Sequence, residues 1–266
     1  MPHVPAAGLR APRIHYRLHG PSDGTALVLI KGLSRSLRHW GGLPDALGMR
    51  VVSMDNRGIG LSDRVRFPFG MGDMAADVVR VLDHLRLARA HVFGMSLGGM
   101  IAQRVAMDHP TRVDRLVLGC TTPGGKNAEQ AGYRTWLALV QARARGLDAA
   151  IAAEARATLS PRFIAAHPEI IAAWRAIALE QPVWPETAAM QAAAALCHRV
   201  EEDLYRITAP TLIACGDADA LVPPSNSRLL ARRIRGAEIA WLRGAGHDFA
   251  TERPAETVAI VRRFLG

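Results

Sequence analysis

Short apolar runs closed by glycine or proline alternate along the chain with longer stretches whose apolar residues recur every three or four positions. The run ALVLI at residues 26–30 and the segment 50–54 read as buried strands. Residues 74–85 then place Ala75, Val78, Val79, Leu82 and Leu85 on one face of a helix. A strand at 91–95, a helix over 97–109 stopped by Pro110, and a strand at 113–119 repeat the rhythm. Residues 13–19 alternate like a strand with one wet face, which predicts an antiparallel edge. Strands alternating with helices predict an α/β architecture: a mostly parallel sheet with helices on both faces.

From residue 121 to residue 205 the strand signal stops. This segment is Ala-rich and helical, broken by Gly146, Pro161, Pro168, Pro182 and Pro185. After Pro210 strands resume at 211–215 and 238–242. The predicted organisation is a core of residues 1–120 and 206–266, with residues 121–205 inserted as a helical cap.

At 266 residues there is room for one large domain or a core with an appendage. The net charge is +9, and only Lys31 and Lys126 among the 33 basic residues are lysines. The arginines are spread out, with Arg232-Arg233-Ile234-Arg235 and Arg262-Arg263 as the longest knots, so no nucleic-acid partner is expected. No apolar run approaches the ~20 residues of a membrane span. Pro2, Pro5, Gly8 and Pro12 interrupt the first sixteen residues, which do not read as a signal peptide. Cys120, Cys197 and Cys215 show no CxxC spacing, which argues against a disulfide framework or a zinc site and for the cytoplasm. Oligomeric state is not readable from the sequence.

The chemistry starts at Gly94-Met95-Ser96-Leu97-Gly98, a Gly-x-Ser-x-Gly between a predicted strand and a predicted helix. A serine on so sharp a turn holds its hydroxyl above the sheet edge, and the flanking positions come close enough to require glycine. The Leu97 N–H at the helix start can meet negative charge beside that hydroxyl. A serine nucleophile needs a base, and the base needs an orienting group. Further along, Gly216-Asp217-Ala218-Asp219 follows one strand and Gly244-Ala245-Gly246-His247-Asp248 follows the next. His247 is the candidate base. Asp219 is the candidate orienter, with Asp217 as its rival. Leu29-Ile30-Lys31-Gly32-Leu33-Ser34 ends the first buried strand in a glycine turn, and the Leu33 N–H is a candidate second oxyanion donor.

These motifs, with Asp55-Asn56-Arg57-Gly58-Ile59-Gly60-Leu61-Ser62-Asp63, resemble the α/β-hydrolase superfamily over nearly the whole chain. Met100-Ile101-Ala102-Gln103 and Thr121-Thr122-Pro123-Gly124-Gly125 look like its carboxylesterase, enol-lactonase and polyketide methylesterase branch. The resemblance implies an α/β-hydrolase fold, Ser96 as nucleophile, Asp219 as acid, His247 as base, and a helical cap over the pocket. Many members carry His where this chain has Lys31; that residue braces the oxyanion loop or, as a lysine, reaches an anionic substrate. The loop 55–63 is expected to be structural. Trp40, Trp136, Phe163, Trp174, Trp184 and Met190 are candidates for lining the pocket, and Lys31, Arg35 and Arg38 for meeting a substrate carboxylate.

The expected activity is hydrolysis of a small or medium carboxylic ester or lactone, with no metal or organic cofactor and no membrane partner. The same triad could instead serve C–C bond hydrolysis, hydroxynitrile cleavage or perhydrolysis. A non-catalytic small-molecule binding protein is the reading from a different class.

Overall fold

A computed structural model describes every residue except Leu9 and Ala131, with Tyr133 and Trp136 described by their backbone alone. The strands are β1 (His3–Val4), β2 (Ile14–His19), β3 (Leu27–Ile30), β4 (Val51–Met54), β5 (Ala90–Met95), β6 (Val113–Gly119), β7 (Thr211–Gly216) and β8 (Glu238–Leu242). They form one sheet in the order β1-β2-β4-β3-β5-β6-β7-β8. The pairs β1·β2 and β2·β4 are antiparallel and the others are parallel. The alternation at residues 13–19 thus becomes an antiparallel strand beside β4, with β1 outside it.

Around the sheet lie α1 (Leu43–Ala46), α2 (Met71–His84), α3 (Leu97–Asp108), α4 (Tyr133–Ala144), α5 (Leu147–Thr158), α6 (Pro161–Ala166), α7 (Glu169–Glu180), α8 (Pro185–Leu196), α9 (Ser225–Arg233), α10 (Phe249–Glu252) and α11 (Pro254–Leu265). Five of these, α4 to α8, run consecutively between β6 and β7.

Because successive strand residues point to opposite faces, the central strands supply two cores. Val28, Ile30, Val52, Met54, Val92, Leu116, Leu118 and Ile213 pack with residues of α2, α3 and α9 on one face. Leu27, Leu29, Val51, Phe93, Met95, Val117, Leu212 and Ala214 pack with residues of α1 and α11 on the other. The apolar runs are continuous because these strands are covered twice. A third, smaller core joins Ile151 and Ala155 of α5, Leu159 just after it, and Trp174 of α7.

The chain enters the parallel part at β3, winds out to β4, then crosses back to β5 on the other side of β3. Loops leaving β3 and β5 therefore diverge, and the crevice between them lies at the carboxyl ends of the strands, where α/β sheets bind ligands. Lys31-Gly32-Leu33 leaves β3 there and Ser96 leaves β5 there.

Candidate active site

Ser96 joins β5 directly to α3 at φ 57°, ψ −121°, a conformation that costs a non-glycine residue about 1–3 kcal/mol. Two close approaches explain the glycines around it. A Cβ on Gly94 would sit 2.1 Å from the Gly98 carbonyl oxygen, and one on Gly98 would sit 2.1 Å from that of Ile30. Neither neighbour is a side chain that could swing away.

The fold places the Ser96 side chain beside Gly32 in the β3 loop: a Cβ there would lie 3.5 Å from Ser96 Oγ. Among the described residues, the Leu33 and Leu97 N–H groups donate to nothing within the chain. The Thr121 hydroxyl donates to the Ser96 carbonyl oxygen at 2.7 Å, tying the elbow to the end of β6.

Asp219 follows β7 and His247 follows β8, so both stand at the same sheet edge as Ser96. His247 Nδ1 meets Asp219 Oδ2 at 2.8 Å, and both residues are buried. The other carboxylate oxygen, Oδ1, accepts the N–H groups of Leu221 and Val222, each at 2.8 Å. Asp217 is spent elsewhere, accepting the Gly244 N–H at an exposed position. Ser96 Oγ and His247 Nε2 make no hydrogen bond among the described residues, and neither is sealed from solvent. Such contacts commonly tighten only when substrate binds.

Lys31 is buried, with Nζ 2.8 Å from Asp248 Oδ1 and 4.4 Å above the Trp40 ring. Burial pulls the Lys31 ammonium below its ordinary value, and Asp248 pulls in the other direction. For Asp248, burial pushes upward, but the nearby ammonium and its hydrogen bond hold the carboxyl below its usual range. Asp248 thus neutralises Lys31 and fixes the loop that carries His247. Glu252 braces the same loop, accepting the N–H groups of Gly246 and Ser160, both at 2.8 Å.

The remaining pocket candidates separate. Trp40 is core, packed on Phe93 with ring centroids 5.2 Å apart, rather than a pocket wall. Trp174 is core of the inserted helices and carries the Arg35 guanidinium 3.7 Å over its ring. Trp184 is 46 % exposed, with Arg64 stacked on it. Arg35 pairs with Glu154 at 3.2 Å, and Arg38 pairs with Glu180. Met190 is half-buried against the α2–α3 core, and Phe163 against the core of α5 and α7. The side chain of Trp136 lies outside the described residues. The loop 55–63 is tied by Asp55, which binds His15 and the N–H groups of Leu37 and Leu61. Arg57 in the same loop reaches Asp77 at 2.7 Å.

Beneath Asp219 lie the sulfurs of Cys120 and Cys215; one ligand atom from each of the three lies within 4.8 Å of the others. A metal ion there would compete with His247 and two backbone N–H groups for the carboxylate. A groove of about 480 Å³ lined by Pro21, Arg50, His91 and Asp114 opens at the amino ends of the strands, away from Ser96.

A model of the alpha/beta hydrolase fold family matches residues 25–254. The chain belongs to the α/β-hydrolase family. Within the family it is 35 % identical over 251 residues to a putative carbamate hydrolase RutD of Variovorax paradoxus, covering 91 % of this chain and 92 % of that one. A hydrolase from Pseudomonas aeruginosa PA01 superposes with TM-score 0.86 at 28 % identity, covering 98 % and 97 % of the two chains. The enol-lactonase from Burkholderia xenovorans LB400 gives TM-score 0.86 at 26 % identity, covering 99 % of both. The fold and these relatives support hydrolase activity for this α/β-hydrolase.

Two groups around the site escaped the sequence reading. Glu252 and the α8 pair Thr187 and Gln191 lie in helical segments with no motif to mark them. Asp248 was visible beside His247, but only the fold brings it to Lys31.

Proposed function

We propose that this α/β-hydrolase cleaves a small or medium carboxylic ester or lactone through an acyl-enzyme on Ser96. The observation that carries the reading is the His247–Asp219 pair at 2.8 Å at the sheet edge where Ser96 ends its strand. Ser96 Oγ attacks the carbonyl carbon while His247 Nε2 takes its proton. Asp219 holds the imidazole through Nδ1 and balances the imidazolium charge. The Leu33 and Leu97 N–H groups, with no other acceptor among the described residues, receive the developing oxyanion, a contribution of about 3 kcal/mol per donor. His247 returns its proton to the leaving alkoxide, and the C–O bond breaks. A water molecule, deprotonated by His247, then releases the acid and regenerates Ser96.

The insertion α4 to α8 serves as a lid in this reading. The substrate is a free small molecule, with no nucleic acid or membrane involved, and the three free cysteines favour the cytoplasm. The names of the relatives put carbamates and lactones beside simple esters as candidates.

The test is turnover of a p-nitrophenyl ester series from acetate to palmitate, with a phenyl carbamate and a lactone alongside, by the wild type and Ser96→Ala. The expected result is turnover that falls by about 10³-fold or more in the variant. Turnover that survives the substitution removes Ser96 from the chemistry and ends the proposal.

A further inference from the structure

The contact between α8 and the loops after β3 and β4 holds more hydrogen-bonding capacity than the fold uses. Thr187 and Gln191 stand four residues apart on α8, and both are 0 % exposed. Gln191 Oε1 accepts the Ser34 N–H at 2.9 Å. That bond fixes the amide orientation and leaves Nε2, with its two N–H groups, without an acceptor among the described residues. The hydroxyls of Thr187 and Ser34 and the Arg35 Nη2 are also buried without partners among the described residues. Thr187 lies over Gly58, whose Cβ would come within 2.7 Å of it, so α8 presses directly on the loop after β4. Ser34 and Arg35 follow Leu33 in the β3 loop, and Ser34 holds φ at +60°.

Holding α8 against the β3 loop needs only the Ser34–Gln191 bond. The other polar atoms cost stability when buried without partners, and a threonine and a glutamine are poor choices for a purely packed wall. Unpartnered buried polar groups in a native chain call for an explanation, and a ligand is one. The sign of the excess is clear. Gln191 Nε2 and Arg35 Nη2 can only donate, whereas the two hydroxyls can donate or accept. What they lack is an oxygen acceptor. The Arg35 charge is already offset by Glu154, so a neutral oxygen suffices.

We propose that this contact parts to admit substrate and forms a recognition subsite, with Thr187 and Gln191 as its specificity-determining residues. It takes an acyl group that carries a second oxygen acceptor close to the scissile carbonyl, such as a keto or amide carbonyl. The inference rests on the proposed ester chemistry at Ser96 for its kinetic test, but its binding test stands without it.

The kinetic arm compares p-nitrophenyl 4-oxopentanoate, p-nitrophenyl pentanoate and the mono-p-nitrophenyl ester of succinic acid. The wild type is expected to favour the keto ester over the pentanoate by about tenfold or more in kcat/KM, since a site built for a polar group discriminates against its apolar analogue. In Thr187→Val and Gln191→Met the ratio is expected to fall to within about threefold of one. A preference for the succinate ester instead identifies the acceptor as a carboxylate drawn to Arg35 and overturns the neutral assignment. Thr187→Val is nearly isosteric and removes a hydroxyl with no partner, so its Tm is expected to rise by about 2–4 °C as selectivity is lost. A merely structural hydroxyl would lower it.

The binding arm measures the Kd of methyl 4-oxopentanoate and methyl pentanoate on Ser96→Ala by calorimetry. Tighter binding of the keto ester, abolished by Thr187→Val, supports the subsite even if no p-nitrophenyl ester is turned over. Equal affinity for the two, or a ratio unchanged by both substitutions, overturns it and leaves the Ser96 reading intact.

Discussion

Asp217 and Asp219 stand two residues apart in one loop, and only hydrogen-bond geometry separates them. Asp219 receives two backbone N–H groups on one oxygen and His247 on the other, while Asp217 caps the Gly244 N–H at the surface. Asp219→Asn keeps the shape but upsets the imidazole tautomer, so kcat on the best ester is expected to fall about 10³- to 10⁴-fold. Asp217→Asn is expected to stay within about twofold, as surface changes do. Steady-state kinetics on the two variants checks this, and equal losses would remove Asp219 from its role. The sequence put both carboxylates after the right strand. It favoured Asp219 over Asp217 but carried no reason why the turn directs that one inward, because that depends on the Leu221 and Val222 amides closing over one side chain. Trp40 shows the opposite limit. Its place after Lys31-Gly32-Leu33 suggested a pocket wall, yet the face of the sheet it covers puts it on Phe93.

Among the elements, the β3 loop and the start of α10 are joined by one buried ion pair, Lys31 with Asp248. Removing one partner strands the other charge away from water, so Lys31→Met is expected to destabilise by about 3–5 kcal/mol. Lys31→Met with Asp248→Leu leaves no orphan charge and is expected to recover most of that loss. Urea unfolding of the single and double variants measures both, and additive losses would show that the pair is not coupled. The central strands β3 to β7 were legible because doubly covered strands must be apolar throughout and their helices must show a stripe, whereas β1, two residues long, carried no pattern. The elbow glycines were legible because backbone contacts at 2.1 Å admit nothing larger. Helices α4 to α8 were legible as helices only. Their alanine-rich faces do not encode which side meets the core, so Thr187 and Gln191 carried no signal until α8 was seated on the β3 loop.

Across the whole molecule, burial sets how the fold answers to pH. His198, between α8 and β7, is buried with Nε2 3.3 Å from Gln103 Oε1 of α3. Desolvation, helped by the charge of Arg104, pulls its pKa down to about 4. His39 is pushed well below its ordinary value by burial and then by Arg35, and burial also lowers His91. All three act in one direction. In the unfolded chain each binds a proton near pH 6.5, whereas in the native fold each stays neutral to lower pH. The unfolded state therefore holds more protons below pH 6.5, and native stability is lost as pH falls from there toward 4. His198 alone accounts for up to about 3 kcal/mol across that window. The free energy of unfolding in urea is expected to drop steeply from pH 7 to pH 5, and His198→Gln is expected to drop less steeply, by about one proton. An unchanged slope in His198→Gln would show that this imidazole is already protonated in the native state. The depressed carboxyl of Asp248 adds a later loss, which begins as pH falls into the ordinary carboxylate range and is complete only below it.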